Sequence, residues 1–268
     1  MTVARKLRHG LFQVGDGVRS LRVGDHVVPA RVGLGVWRSD GYHRETDLVA
    51  IDNTLPLEAS ATIQINPPTA YRMLKDFVDL KPGDTVMQNG ANSAVGRAVI
   101  QICRIWGIRT VNIIRKRSNL KDVISELKTL GADEVLTYEE LSKQCRGKYK
   151  DIRLALNCVG GRSTVSLASA LGPRGYMVTY GGMSRQPIQV PTGPLIFKDV
   201  RLVGFWISPW YEDPRNEEER SRMYNELTGW MKSGEFVSPS FEKRQLEDHS
   251  EVLQAATVDF DKKQLFIL

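Results

Sequence analysis

The chain has 268 residues, of which 41% are hydrophobic and 25% charged, enough to bury a sizeable core. Its longest apolar runs are strand-length and broken by charge, as around Leu202, Val203 and Phe205, which argues against a membrane span. The formal net charge of +6 suits phosphorylated ligands or an acidic carrier, and no basic stripe with interleaved aromatics points to nucleic acid.

In chain order, residues 1–12 carry Arg5, Lys6, Arg8 and His9 with no acid, the composition of the start of an organelle transit peptide or of a basic strand or loop. Up to about Glu58 the pattern is turns and strands. A Gly24-Asp25 turn precedes the β-branched pair Val27 and Val28, as in a small β-domain. At Pro67 the pattern changes to a helix with Tyr71, Leu74 and Val78 along one face, and Lys81-Pro82-Gly83-Asp84 then turns the chain into a strand over 84–88. A tight turn leads into a helix with Val99, Ile102, Cys103 and Trp106 on one face, followed by a strand over 110–115.

The spacing next predicts a helix over 118–130, with Ser118 as N-cap and Gly131 as the stop, and a strand over 134–138. The near-continuous apolar run over 151–161 reads as a strand buried on both faces. A helix over 163–171, a strand over 175–180 and a strand containing Leu202 and Val203 complete the alternation. Such alternation argues for a right-handed, parallel, doubly wound α/β sheet. The tail holds a charged helix over 216–232 and a last strand over 264–268, assigned back to the β-domain.

The turn Asn89-Gly90-Ala91-Asn92-Ser93-Ala94-Val95-Gly96 lies between a strand and a helix, where helix N–H groups and the helix dipole favour a cofactor pyrophosphate. Measured against G-x-G-x-x-G, it puts Ala91 and Ser93 where the first two glycines would stand. At the end of the next strand, NAD enzymes carry an acid for the ribose 2′-OH. This chain has Arg115, Lys116 and Arg117 there, and a guanidinium suits a 2′-phosphate that a carboxylate would repel. The expected cofactor is therefore NADPH, the plainer alternative being a solvated charge run. Cys103, Cys145 and Cys158 are far apart and read as reduced, mostly buried thiols. With His9, His26, His43 and His249 scattered, no metal site is expected. No Gly-x-Ser-x-Gly elbow or Cys/His pairing suggests a nucleophile.

The stretches Gly33-Leu34-Gly35-Val36-Trp37-Arg38, Ile65-Asn66-Pro67-Pro68-Thr69-Ala70-Tyr71-Arg72-Met73-Leu74, Leu154-Ala155-Leu156-Asn157-Cys158-Val159-Gly160-Gly161, Val178-Thr179-Tyr180-Gly181-Gly182-Met183, and Ile196-Phe197-Lys198-Asp199 with Gly204-Phe205-Trp206 carry a family resemblance across essentially the whole chain. It resembles the zinc-free branch of the medium-chain dehydrogenase/reductase superfamily, and within it the mitochondrial 2-enoyl thioester reductases, which act on enoyl-CoA or enoyl-acyl-carrier-protein. The resemblance implies an α/β fold with a doubly wound parallel Rossmann sheet inserted in a truncated GroES-like β-domain. Residues 1–58 would be a partial GroES-like domain, 59–205 the NADPH-binding domain, and 206–268 the return. It implies hydride transfer from NADPH to the β-carbon of a trans-2-enoyl thioester and proton addition at the α-carbon, in a mitochondrial homodimer joined through the cofactor domain.

Carried over by position, the resemblance puts Asn66 at the nicotinamide side, Asn92, Ser93, Ala94, Val95 and Gly96 at the pyrophosphate, and Arg115, Lys116 and Arg117 at the 2′-phosphate. Tyr180, Gly181, Gly182 and Met183 would lie along the cofactor, Phe205, Trp206 and Ile207 beside the nicotinamide and acyl pocket, and Lys263 near the cofactor from the final strand. Plainer readings stand beside these: Gly181-Gly182 as a strand-end turn, Trp206 as core, and Lys263, next to Lys262, as solvated.

The family's proposed proton donor is a tyrosine well before the Gly-Leu-Gly-x-Trp-Arg stretch, and the chain begins too late to contain it. Tyr42 follows Trp37 and does not take that role, so the catalytic residue stays unassigned. A short form or incomplete gene model is expected, with uncovered sheet edges and apolar surface. The competing functions are an NADPH-binding or partner-binding module without catalysis and a zinc-free quinone reductase.

Overall fold

The turn before the β-branched pair forms as its residues require, with Gly24 at φ +94°, and it feeds β1 (His26–Pro29). The computed structural model describes residues 11–258 other than 32, 37, 39, 145–147 and 150, together with 263–267. Residues 1–10, Trp37, Cys145, Lys262 and Leu268, which enter the sequence reading above, lie outside the described residues. β1 pairs antiparallel with β2 (Leu48–Ile51), and α1 (Leu57–Thr62) and α2 (Asn66–Asp76) follow. Pro67 sits in the first turn of α2, where a missing N–H has no intrahelical acceptor to lose. Tyr71 and Leu74 are buried from α2 as expected, but Val78 lies past its end.

The turn over 81–84 is closed by the Asp84 carboxylate, which accepts from Lys81 N–H at 2.8 Å, and by Asp84 N–H donating to Lys81 O at 3.0 Å. From there strands and helices alternate: β3 (Thr85–Asn89), α3 (Ala94–Ile105), β4 (Arg109–Ile114), α4 (Leu120–Thr129), β5 (Glu134–Thr137) and α5 (Tyr138–Gln144). The chain then continues through β6 (Ile152–Asn157), α6 (Ser163–Ala170), β7 (Leu171–Thr179), α7 (Thr192–Lys198) and β8 (Arg201–Gly204). The strands form one six-stranded parallel sheet in the order β5-β4-β3-β6-β7-β8. After β5 the chain returns to the far side of β3, so the direction of winding reverses between β3 and β6.

Both faces of this sheet are packed, which is why its strands read as apolar runs. Met87, Val111, Ile113, Ile152, Ala155, Leu167 and Met177 belong to one buried cluster, and Ala91, Ile100, Ile114, Val123 and Leu127 to another. The tail forms α8 (Ile207–Glu212), α9 (Glu217–Ser233), β9 (Phe241–Gln245), α10 (His249–Val258) and β10 (Lys263–Ile267), with β10 parallel to β9.

Several boundaries differ from the sequence expectations. The helix after β4 starts at Leu120, so Ser118 does not cap it, and Asn119 at the cap position makes no side-chain cap bond. Gly131 is the stop, at φ +108°. Tyr138 opens a helix and does not end a strand. β6 stops at Asn157 because Gly160 and Gly161, at φ +78° and +59°, turn the chain away from the sheet. β7 begins at Leu171, with its register against β6 shifting between Ile152 and Leu154 and Arg174 at φ +57°.

The chain divides into two compact units, one of Met1–Pro68 with Ile207–Leu268, the other of Thr69–Trp206. Among the described residues no helix is long and apolar enough to cross a membrane.

Within the first unit, the Asp52 carboxylate accepts from Thr54 Oγ1 at 2.6 Å and Thr54 N–H at 2.8 Å, and from Lys232 Nζ of α9 at 3.0 Å. These donors hold its pKa at about 2. A carboxyl group depressed on folding stabilises the fold above its unfolded pKa of about 3.9 and loses that contribution as pH falls through the folded value. The difference in thermal midpoint between the parent chain and Asp52→Asn is therefore expected to hold above pH about 4, to shrink as pH falls, and to be lost below about 2. A difference that persists unchanged at low pH would contradict this.

Candidate functional site

All six strands of the second unit run in one direction, so Asn89, Ile114, Thr137, Asn157, Thr179 and Gly204 end them along a common edge. Open sheets of this kind bind ligands outside the carboxyl ends of the strands, at the point where the winding reverses. Here that point lies between β3 and β6.

The turn after β3 is shaped by two glycines. Gly90 takes φ +60°, and a Cβ there would stand 2.4 Å from Cys158 Sγ. At Gly96 a Cβ would meet the Ala91 backbone, with its carbonyl oxygen at 2.5 Å, so the turn folds back onto the first helical turn of α3. Ala91, where the fingerprint has a glycine, is fully buried. Ser93 caps α3, its Oγ accepting from Gly96 N–H at 3.1 Å. Ala94 and Val95 open the helix, so their amides have no intrahelical acceptor and face the positive end of the helix dipole. Such an end binds anions. Beneath the turn, Gln88 Nε2 donates to Gly96 O at 2.9 Å and to Asn112 Oδ1 at 2.8 Å, tying α3 to β3 and β4.

β3 and β4 pair with Asn89 opposite Ile113, which sets the cations after Ile114 beside the turn after Asn89. Arg115 and Lys116 are exposed and Arg117 is half-buried. The strand-end position is thus as expected, and it brings anion-seeking amides and cations to neighbouring strand ends.

The loops after β6 and β7 are laced together. Asn157 O accepts from Tyr180 N–H at 2.9 Å, Cys158 O from Met183 N–H at 3.0 Å and Val159 O from Ser184 N–H at 2.8 Å. Gly181 is confined against Cys158, where a Cβ would lie 3.1 Å from the carbonyl oxygen, whereas Gly182 has open space. Tyr180 and Cys158 face Ser93, and the Tyr180 hydroxyl is buried there without a well-formed hydrogen bond. Burial pushes both the Cys158 thiol and the Tyr180 hydroxyl up, so both stay protonated at neutral pH and neither is poised as nucleophile or base.

Phe205 N–H donates to Thr179 O at 2.9 Å, and its ring meets Phe77 edge-on at 6.0 Å. Trp206 is 67% exposed, so it is not core within its unit. Asn66, the first residue of α2, and Ile207, the first of α8, both buried, and Lys263, the first residue of β10, belong to the first unit. Tyr42 is 97% exposed. Among the described residues no three His, Cys, Asp or Glu side chains stand close enough to hold a metal ion.

Sequence reasoning missed Gly90 as the positive-φ residue of the turn and the strand-end amides Asn89 and Asn157, both fully buried. Their signal was present: a buried amide at the end of an apolar strand demands hydrogen-bond partners.

A zinc-binding dehydrogenase family model matches residues 94–222. The described residues do not offer the ligand cluster that its name implies. The chain is 60% identical over 258 residues to the mitochondrial enoyl-[acyl-carrier-protein] reductase of Caenorhabditis elegans, covering 96% of this chain and 75% of that one. Among solved structures it is similar to the Etr1p complex with NADP and crotonyl-CoA, at TM-score 0.87 and 31% identity, covering 96% of this chain and 77% of the other. It is similar also to the mitochondrial 2-enoyl thioester reductase Etr1p/Etr2p heterodimer from Candida tropicalis, at TM-score 0.84 and 30% identity, covering 92% and 75%.

The glycines separate by position. Gly96→Ala should lower unfolding stability by about 1–3 kcal/mol, because its Cβ meets backbone that cannot rotate away. Gly182→Ala should stay within about 0.5 kcal/mol. Equal losses in denaturant melts would refute this account of the turn.

Proposed function

The chain belongs to the family of mitochondrial enoyl-[acyl-carrier-protein] reductases, and from that premise we propose which of its residues serve the reaction. It is a mitochondrial, NADPH-dependent oxidoreductase that reduces trans-2-enoyl thioesters to saturated acyl thioesters. NADPH, when bound, supplies the hydride that goes to the β-carbon of the enoyl group, while a proton is added at the α-carbon.

The observation that carries the site assignment is the pairing, at adjacent strand ends, of the bare first amides of α3 with Arg115 and Lys116. The residues fit the cofactor: the first amides of α3, at a helix N-terminus, suit a pyrophosphate, and the exposed cations after β4 suit a 2′-phosphate. In this reading Asn92, Ser93, Ala94, Val95 and Gly96 hold the pyrophosphate. Arg115, Lys116 and Arg117 select the phosphorylated ribose, and Tyr180, Gly181, Gly182 and Met183 lie along the cofactor. Asn66, Phe205, Trp206 and Ile207 serve the nicotinamide and acyl end, and Lys263 the cofactor. The unit Thr69–Trp206, which starts later than the expected residue 59, is the cofactor domain, and the other unit a partial GroES-like domain. No side chain is assigned the proton donation. No step runs through zinc.

The oligomer is a homodimer joined through the cofactor unit. β8 is an edge strand of the six-stranded sheet, and the preceding α7 exposes Leu195, Ile196 and Phe197, the last at 85%. An unpaired edge beside exposed apolar side chains is a surface that a second copy can cover.

With purified chain and a trans-2-enoyl-CoA, NADPH oxidation is expected, with little from NADH and none with a quinone in place of the thioester. The double change Arg115→Ala with Lys116→Ala should raise KM for NADPH about tenfold or more and leave NADH unaffected. An equal effect on both cofactors would remove the 2′-phosphate assignment. Phe197→Asp is expected to shift the sedimentation of the chain from dimer to monomer; an unchanged dimer would place the interface elsewhere.

A further inference from the structure

Side chains on β3 alternate between the two faces of the sheet, and its last two polar residues serve different neighbours. Gln88 reaches Asn112 and α3, whereas Asn89 reaches across the reversal point to β6. There Asn89 Nδ2 donates to Asn157 Oδ1 at 2.8 Å and to Ser163 Oγ at 3.1 Å, and Asn89 Oδ1 accepts from Cys158 N–H at 2.8 Å. Asn157 Oδ1 accepts in addition from Val159 N–H at 3.2 Å and Gly160 N–H at 3.0 Å, and Asn157 Nδ2 donates to Thr179 Oγ1 at 3.1 Å. Backbone N–H groups can only donate, so they fix the orientation of both amides and leave this chain of bonds one consistent direction. Every amide group of the pair is used, and both residues are 0% exposed.

Packing alone does not call for this arrangement. An apolar side chain would fill the same volume without the cost of burying amides. What the amides add is control of backbone: together they hold the three successive N–H groups of Cys158, Val159 and Gly160. That loop in turn holds Met183 and Ser184 through its carbonyls, and Asn157 O holds Tyr180 N–H. The loops have no slack, since a Cβ at Gly160 would stand 2.9 Å from Gln186 O. Both segments are thus set by this pair of side chains at the reversal point.

We propose that Asn157, braced by Asn89 and Thr179, is a positioning residue for the reduction, setting the loops after β6 and β7 against which NADPH is bound. The inference rests on the NADPH reading of this strand edge. Neither amide touches the reacting atoms in this account; each acts through the backbone it holds.

The test compares Asn157→Leu, which cannot accept from Val159 and Gly160, with Asn157→Asp, which can, and with Thr179→Val, which removes only the acceptor for Asn157 Nδ2. NADPH dissociation constants are read from cofactor fluorescence, alongside kcat, KM and thermal midpoints. Asn157→Leu should weaken NADPH binding about tenfold and lower kcat at temperatures where it is fully folded. Asn157→Asp should restore binding to within about threefold, and Thr179→Val should shift it in the same direction as Leu but less. A residue that merely stabilised the fold would lower the thermal midpoint and leave binding and kcat unchanged, and that result overturns the proposal. Equal loss in the Leu and Asp variants overturns it as well. Should the Leu variant not fold, an unchanged constant in Thr179→Val overturns it alone. Parent chain that fails to bind NADPH would instead sink the reading of the strand edge itself.

Discussion

The carboxyl edge of the six-stranded sheet depends on the contact between β3 and β6, strands adjacent in the sheet but separated in sequence by two intervening strands. Their carboxyl ends lie side by side where the winding reverses, so loops leaving them diverge and open a crevice. A crevice between diverging backbones is held by whatever bridges it. In this protein the bridge is the amide pair Asn89 and Asn157, 2.8 Å apart. Buried amides of this kind are favourable only when every donor and acceptor is met, which makes the bridge a constraint on geometry more than a source of stability.

The glycine turn works by the same economy of space. Gly96 allows the chain at Ala91 to lie directly on α3, and Gly90 leaves room for Cys158 Sγ. The turn proposed to hold the pyrophosphate is therefore not a loop laid over a helix end but a close-packed piece of the sheet edge. Its chemistry comes from what packing leaves open, the first amides of α3. Cys103 and Cys158, both buried with thiols pushed up by that burial, are packing elements of this arrangement.

Much of the second unit was legible in the sequence. The strands are buried on both faces, so each appears as an apolar run, and Pro, Gly and Asp mark the turns between them. The strand-end position of the cations could be read because they directly follow an apolar, strand-forming run. Boundaries failed where local signals lost to tertiary ones. Ser118 is an able cap, yet the chain winds into helix only at Leu120. Tyr138 has the propensity of a strand residue but opens a helix. In the first unit the alternation was weaker, and its short strands, β1 and β2, gave less pattern to read.

By itself the sequence determined the fold class and the kind of ligand, because hydrophobic period and charge at a strand end are local properties that survive without knowing which strands are neighbours. Only the tertiary structure decided how the site is held. Asn89 and Asn157 are sixty-eight positions apart, and an asparagine at the end of a strand looks the same in sequence whether it faces water or another amide. Which partner it meets depends on the strand order, and the strand order depends on the packing of both faces of the sheet at once.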